Sequence, residues 1–316
     1  MTNNFKLTTP VLFLVFKKVE ATRAVFNEIR RAKPTKLFIG ADGPRKNNND
    51  DYLKCQEVKK IFEQIDWDCE VKTLFRKENL GSRVAESSAI NWFFDNVDQG
   101  IILEDDCLPN QFFFWYCQEL LGKYKNDNRI MHISGNNFFF GLKNLQDSYY
   151  FSKFSSSWGW ATWKRAWRLY DANMESFLEF KTSRQLDNVV DGEKNRNYWL
   201  KLFQQVYDRK IDAWDYQWQY ALFAQNGLSI IPGVNLVSNI GFSSDGTYCK
   251  DNNDILSGIK TEEISELKHP LFIIQNKELD DFVFKNIHYP GTLRHGKKNL
   301  LQKIKIKISS LIKKYL

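Results

Sequence analysis

The stretch Pro10-Val-Leu-Phe-Leu-Val-Phe16, the residues 20–33 after it, and Leu37-Phe-Ile-Gly-Ala-Asp42-Gly-Pro44 decide the fold. Val11 to Phe16 is an apolar run behind a proline, the pattern of a strand buried on both faces. From 20 to 33 the period changes. Ala21, Val25, Phe26 and Ile29 share one helical face, Arg23, Arg30 and Arg31 lie elsewhere, and Pro34 follows the end. Leu37 to Ile39 is a second strand, closed by turn residues. Strand, helix and strand with short connections form a βαβ unit, so the sheet is parallel and the class is α/β. Residues 45–51 read as a solvated loop, Val58, Ile61, Phe62 and Ile65 mark another helix, and Glu70 to Phe75 alternates as a third strand.

The sharpest chemistry lies at Gly100-Ile-Ile-Leu-Glu-Asp-Asp106-Cys-Leu-Pro109. A short buried strand runs straight into three acids, Glu104, Asp105 and Asp106. Adjacent carboxylates repel one another and are costly to bury without a cation. In an open α/β sheet, ligands bind outside the carboxyl ends of the strands, which is where these acids fall. A hard divalent cation held by carboxylates and completed by substrate phosphates suits them. Asn110 then caps an aromatic helix through Tyr124.

Further candidates follow in order. Asp42 ends the second strand. Lys77 to Arg83 forms a Gly-Ser turn at a helix start, where backbone N–H groups and Arg83 can meet a diphosphate. Ser157-Trp-Gly-Trp160, with Trp163 and Trp167 behind it, gathers four tryptophans in ten positions. Indole faces stack on sugars, but such rings also build cores; spaced i and i+4 in a helix, Trp163 and Trp167 belong to the core. Asp212-Ala-Trp-Asp215-Tyr-Gln-Trp218 opens a helix. Asp215 is either its cap or a base whose aromatic neighbours raise its pKa. Residues 174–208 read as polar-faced helices with a charged linker near 191–197 and no chemistry.

An apolar strand ending in Glu104-Asp105-Asp106 resembles the metal motif of nucleotide-sugar glycosyltransferases of the GT-A fold. The nearest pattern is the N-acetylglucosaminyltransferase I type, in which Glu-Asp-Asp stands for the commoner Asp-X-Asp. The resemblance covers roughly residues 10–246. It implies a Rossmann-like, mostly parallel sheet flanked by helices and a metal-dependent, inverting transfer of a sugar from a nucleotide-diphosphate donor to a glycan hydroxyl. Asp106 then binds Mn²⁺ or Mg²⁺, Asp105 contacts the metal shell or ribose, and Glu104 meets the donor sugar. Asp42 hydrogen-bonds the nucleobase, unless it serves only the turn; Arg83 lies beside the nucleotide; Trp158 and Trp160 line the pocket; and Asp215 is the base. Gly227 to Gly241 matches a strand of the family, and Asn239, Gly241 and residues 243–246 close over the diphosphate. Some members take a further metal ligand from a histidine in the position of His288 or His295.

These matches divide the chain into a GT-A domain (1–246), a C-terminal helical extension (247–296) and a tail (297–316). The five cysteines, Cys55, Cys69, Cys107, Cys117 and Cys249, are odd in number and lack CxxC spacing, so neither disulfides nor zinc are expected and the cytosol is the natural compartment. No apolar stretch nears the roughly 20 residues that span a bilayer, and no signal peptide is expected. The net charge is +7. It equals the seven lysines of 297–316, a segment without one acid, so the body is formally neutral and nucleic-acid binding is disfavoured. Leu300, Leu301, Ile304, Ile308, Leu311, Ile312 and Tyr315 share one helical face of that tail. A basic amphipathic helix of this kind either docks on the body or lies on an anionic membrane. The membrane reading implies peripheral attachment to the inner membrane face and a lipid-linked acceptor. Two other functions remain open from sequence: a sugar nucleotidyltransferase on the same sheet, and a non-enzymatic membrane-active protein driven by the tail.

Overall fold

Along the central strands alternate side chains enter opposite faces, and both faces are covered, which is why the strands read as unbroken apolar runs. A computed structural model describes residues 5–139, 145–241 and 256–289. In β1 (Val11–Val15), Val11, Phe13 and Val15 join a core with Val25, Phe26 and Ile29 of α1 (Val19–Ala32). Leu12 and Leu14 join a second core with Ile90 and Phe93 on the other face.

After β1 and α1 come β2 (Lys36–Ala41), α2 (Asn49–Ile61), β3 (Glu70–Phe75), α3 (Ser82–Asn96) and β4 (Gln99–Glu104). A short β5 (Cys107–Pro109) leads into α4 (Gln111–Lys123), β6 (Ile130–Ser134), β7 (Tyr149–Ser152) and β8 (Trp160–Trp163). Then follow α5 (Lys164–Trp167), α6 (Phe177–Thr182), α7 (Glu193–Tyr207), α8 (Asp215–Ala224), β9 (Leu228–Pro232), β10 (Val237–Asn239) and α9 (Lys277–Val283). The main sheet has eight strands in the order β3-β2-β1-β4-β8-β6-β9-β7. β8 and β7 run against the other six. The expected α/β class, a mostly parallel sheet flanked by helices, is therefore what the structure shows.

The order reverses between β1 and β4: successive units wind outward to β3, and the chain then returns to the far side of β1. At such a switch point the loops leaving the two strands part and open a crevice at their carboxyl ends. β10 pairs antiparallel with β5, placing Asn239 opposite Cys107 beside the crevice. The stretch 256–289 is tied to the body through a bridge between Phe151 and Gln275, and Asp280 accepts from Ser152 Oγ (2.5 Å) and Lys153 N (2.9 Å). Among the described residues no helix is long and apolar enough to cross a membrane.

Three local expectations are corrected. The tryptophans 160 and 163 lie in a strand, so Trp163 and Trp167 do not share a helical face. Trp163 faces α4 and donates from Nε1 to Leu121 O (3.1 Å), whereas Trp167 lies in the opposite core and donates to Asn91 (2.7 Å). The segment 45–51 is not a free loop. Asn48 caps α2, and Asp51 is fully buried between Lys17 (2.5 Å) and Arg45 (2.5 Å), whose hydrogen bonds hold its carboxyl well below the usual range. The charged stretch near 191–197 runs into α7, whose Trp199 and Phe203 anchor a third core with Phe177 and Phe223. The four described cysteines are free thiols. Cys249, residues 243–246, His295 and the tail 297–316 lie outside the described residues.

Candidate active site

β4 delivers Glu104 to the crevice, and the turn before β5 adds Asp105 and Asp106, both buried. Their surroundings explain how three acids coexist. Phe16 N donates to Asp105 Oδ2 (3.2 Å) from the loop after β1. Lys18 Nζ, from the same loop, bridges Asp105 Oδ1 (3.2 Å) and Asp106 Oδ2 (2.6 Å). Burial works against the lysine's charge, but the two aspartates more than offset it and raise its pKa. On the other side Ile240 N donates to Asp106 O (2.8 Å). Gly241 packs so closely that a Cβ there would stand 2.0 Å from Asp106 Oδ2, so any side chain at 241 would displace Asp106.

Two more carboxylates converge on the triad. Asp215 begins α8 with no side-chain cap on that helix; burial pushes it up to about 6, against the pull of its own and Tyr216's N–H groups. Glu86, from α3, accepts from Ser82 Oγ (2.7 Å) and is also hydrogen-bonded to the Trp214 side chain. Burial, with Asp215 and Asp105 nearby, raises its pKa. Burial, then Glu86 and Asp106, raise Glu104 well above the usual carboxylate range. These groups face one cleft of about 1380 Å³.

The rest of the cleft has two characters. Toward β1 and β2 it is lined by cations and polar groups, among them Arg45, Arg76 and Asn79. Toward α7 and the C-terminal stretch it is lined by Phe138, Trp158, Tyr198 and Tyr216. The floor under Trp158 is pinned. His132, buried and held neutral by burial at about 3, accepts from Trp218 Nε1 at Nδ1 (3.1 Å) and therefore donates from Nε2 to Ser156 O (3.0 Å). Gln219 Oε1 accepts from Ser155 N (2.7 Å) and Oγ (3.0 Å).

Glu104, Asp105, Asp106, Asp215, Asp42 and Trp158 all line this cleft. Asp42 already accepts from Gly43 N (2.9 Å), Leu80 N (3.0 Å) and Asn79 Nδ2 (2.7 Å), so it ties the 79–81 turn to β2. Arg83 is turned to Asp212 (3.0 Å) and is not among the lining side chains. Trp160 is a correction. It is 0% exposed, stacked between His132 (5.1 Å) and Trp214 (5.4 Å), and has no face to offer a sugar. His288 lines the cleft's aromatic side, packed among Phe154, Tyr198 and Trp199 rather than beside Asp106.

Sequence reasoning missed Lys18 and Glu86. Lys18 had a signal, since Lys17-Lys18 follows the first strand at the switch point; Glu86 had none, because α3 also carries Arg83, Asn91 and Asp95.

The site suits a hard divalent cation. Glu104, Asp106 and Cys107 each bring a ligand atom within 4.8 Å of the others. Two of the three donors are carboxylate oxygens, which suit a hard cation better than the Cys107 sulfur does. The Lys18 ammonium beside Asp106 marks a place where positive charge is stable.

No family model and no curated protein matches the chain. Several solved structures are similar in part. A UDP-glucose pyrophosphorylase complexed with UDP-glucose aligns over 71% of this chain and 90% of its own, at 10% identity and a TM-score of 0.37. Residues 1–349 of TarS from S. aureus align over 72% of this chain and 58% of that one, at 8% identity and a TM-score of 0.38. A cytidylyltransferase from Leptospira borgpetersenii serovar Hardjo-bovis aligns over 52% of this chain and 63% of its own, at 10% identity and a TM-score of 0.30. At such scores the likeness says nothing of what the cleft binds.

Proposed function

We propose that the chain is a metal-dependent glycosyltransferase of the GT-A type, which moves a sugar from a nucleotide-diphosphate donor to a glycan hydroxyl with inversion. The observation that carries this reading is the meeting of Asp215 with Glu104, Asp105 and Asp106 on one cleft at the switch point. Asp106 and Glu104 would hold Mn²⁺ or Mg²⁺, which stabilises a leaving diphosphate. Asp105, held by Phe16 N and Lys18, serves the metal shell or the ribose. The cationic side of the cleft takes the nucleotide, and the aromatic side around Trp158 takes the sugars. Asp215 removes the acceptor's hydroxyl proton as the new bond to the anomeric carbon forms and the electron pair of the old one leaves with the diphosphate. An aspartate titrating near 6 is ionised at neutral pH yet more basic than an exposed one, which suits a general base.

The test is thermal stability with a panel of nucleoside diphosphates, with and without Mn²⁺. A ligand that binds only the folded state raises Tm. One nucleotide should raise Tm in a metal-dependent way, and Asp106→Ala should lose the shift. No shift with any nucleotide would overturn the reading. Release of pyrophosphate instead of nucleoside diphosphate during turnover would assign nucleotidyl transfer to the same cleft.

A further inference from the structure

Lys17 and Lys18 leave the end of β1 together and part. Lys17 goes to the buried Asp51, already shared with Arg45, whereas Lys18 reaches across the crevice to Asp105 and Asp106. Among the described residues both salt bridges to those two aspartates come from Lys18. Its Nζ lies 2.6 Å from an oxygen of Asp106, the residue assigned to the metal. That oxygen cannot serve an ammonium at this distance and a divalent cation together, because the two cations repel. Lys18 is not locked in place, however: 26% of its side chain is exposed and it lines the cleft. A lysine on a flexible four-carbon stem is also a good partner for phosphate oxygens.

The balance of charge shows why the lysine alone does not complete the site. Asp105 and Asp106 share the one ammonium of Lys18, and an anionic diphosphate brought against them would be repelled unless a further cation came with it.

We propose that Lys18 is a tethered counter-ion. It occupies the cation's place on Asp105 and Asp106 in the ligand-free protein and moves to the donor's diphosphate when metal and nucleotide bind. The inference rests on the metal reading above and adds a consequence: metal and nucleotide bind as a coupled pair. Metal alone must displace Lys18 with nothing to receive it. With the diphosphate present, the displaced ammonium gains a partner. Coupling of this kind is reciprocal, so each ligand strengthens the other by the same factor.

The experiment measures Mn²⁺ binding to the full chain by electron paramagnetic resonance of free Mn²⁺, with and without the nucleoside diphosphate found in the thermal screen. In the wild type Mn²⁺ alone binds weakly, and the nucleotide tightens it by about tenfold or more, within the usual range of coupling between sites. In Lys18→Met, Mn²⁺ alone binds at least about tenfold tighter than in the wild type, and the factor contributed by the nucleotide shrinks. Lys18→Gln keeps a hydrogen-bond donor without the charge and serves if the methionine variant does not fold; the same outcome is expected of it. If both neutral variants bind Mn²⁺ no tighter than the wild type, the counter-ion role is overturned while the metal reading stands. If wild type and variants all fail to bind Mn²⁺ with any nucleotide, the metal reading falls and this inference with it.

Discussion

At the scale of single residues, the site depends on carboxylates kept in different states by their surroundings. Asp215 is expected to limit the reaction twice. Asp215→Asn should lower kcat by at least about 100-fold, within the general-base range, while thermal stability with nucleotide and Mn²⁺ stays close to wild type. For the wild type, kcat/KM should rise as pH passes through about 6 and then level, since the base works only when ionised. Near-normal turnover in the variant, or a flat profile from pH 5 to 7, removes Asp215 from that role. The sign for stability is opposite. The folded protein holds this proton where the unfolded chain has lost it, so the stabilisation is complete below about pH 4 and is lost as pH rises through about 6. Asp215 could be singled out from its Trp-Asp context because aromatic neighbours predict desolvation. Glu86 could not, because nothing in Ser82-Arg-Val-Ala-Glu86 says which side of α3 faces another strand's acids.

At the scale of elements, the turn between β4 and β5 is held from both sides, by the loop after β1 and by the segment after β10. Gly241 is where the second contact is tightest. Gly241→Ala should push Asp106 from its place and weaken Mn²⁺ binding by about 10-fold or more, as loss of a supporting contact does at metal sites. Unchanged affinity would mean that the turn keeps its shape without that contact. The helices and parallel strands of the first hundred residues were legible because each carries its own period and its own cap or breaker. β8 was not. Trp160-Ala-Thr-Trp163 is too short to show alternation, and its tryptophans suit a helix face, a sugar platform or a core equally well. What decides is its pairing with β4 and β6, two strands far away in sequence. The same holds for Asp51, whose buried pairing with Lys17 and Arg45 turns a polar-looking run into a fixed corner.

At the scale of the whole molecule, the body is formally neutral and the charge resides in 297–316. The seven lysines of that segment, with no acid among them, suit an anionic lipid surface, with each lysine contributing about 1 kcal/mol near it. We propose that this segment brings the cleft to a lipid-linked glycan acceptor at the inner membrane face. Deleting 297–316 should abolish sedimentation with vesicles rich in anionic lipid and spare transfer to a soluble acceptor. Vesicle binding that survives the deletion would end the anchor proposal. The α/β architecture and the place of the acidic triad could be argued from sequence. The cleft's aromatic side could not, because Phe138, Trp158, Tyr198 and Tyr216 come from four separate segments that only the tertiary fold brings together.

The pairing of Lys18 with Asp105 and Asp106 also bears on how the chain is made. Synthesis runs from the N-terminus, and domains tend to fold as their residues emerge. β1, β2, β3 and β4 pair in one block at one end of the sheet, and both the acids and the lysine belong to the first 106 residues. Asp215 and Gly241 come from the last third. The mutual repulsion of the aspartates thus finds its counter-ion inside the segment that creates it, before the ribosome has supplied the residues that will use the site.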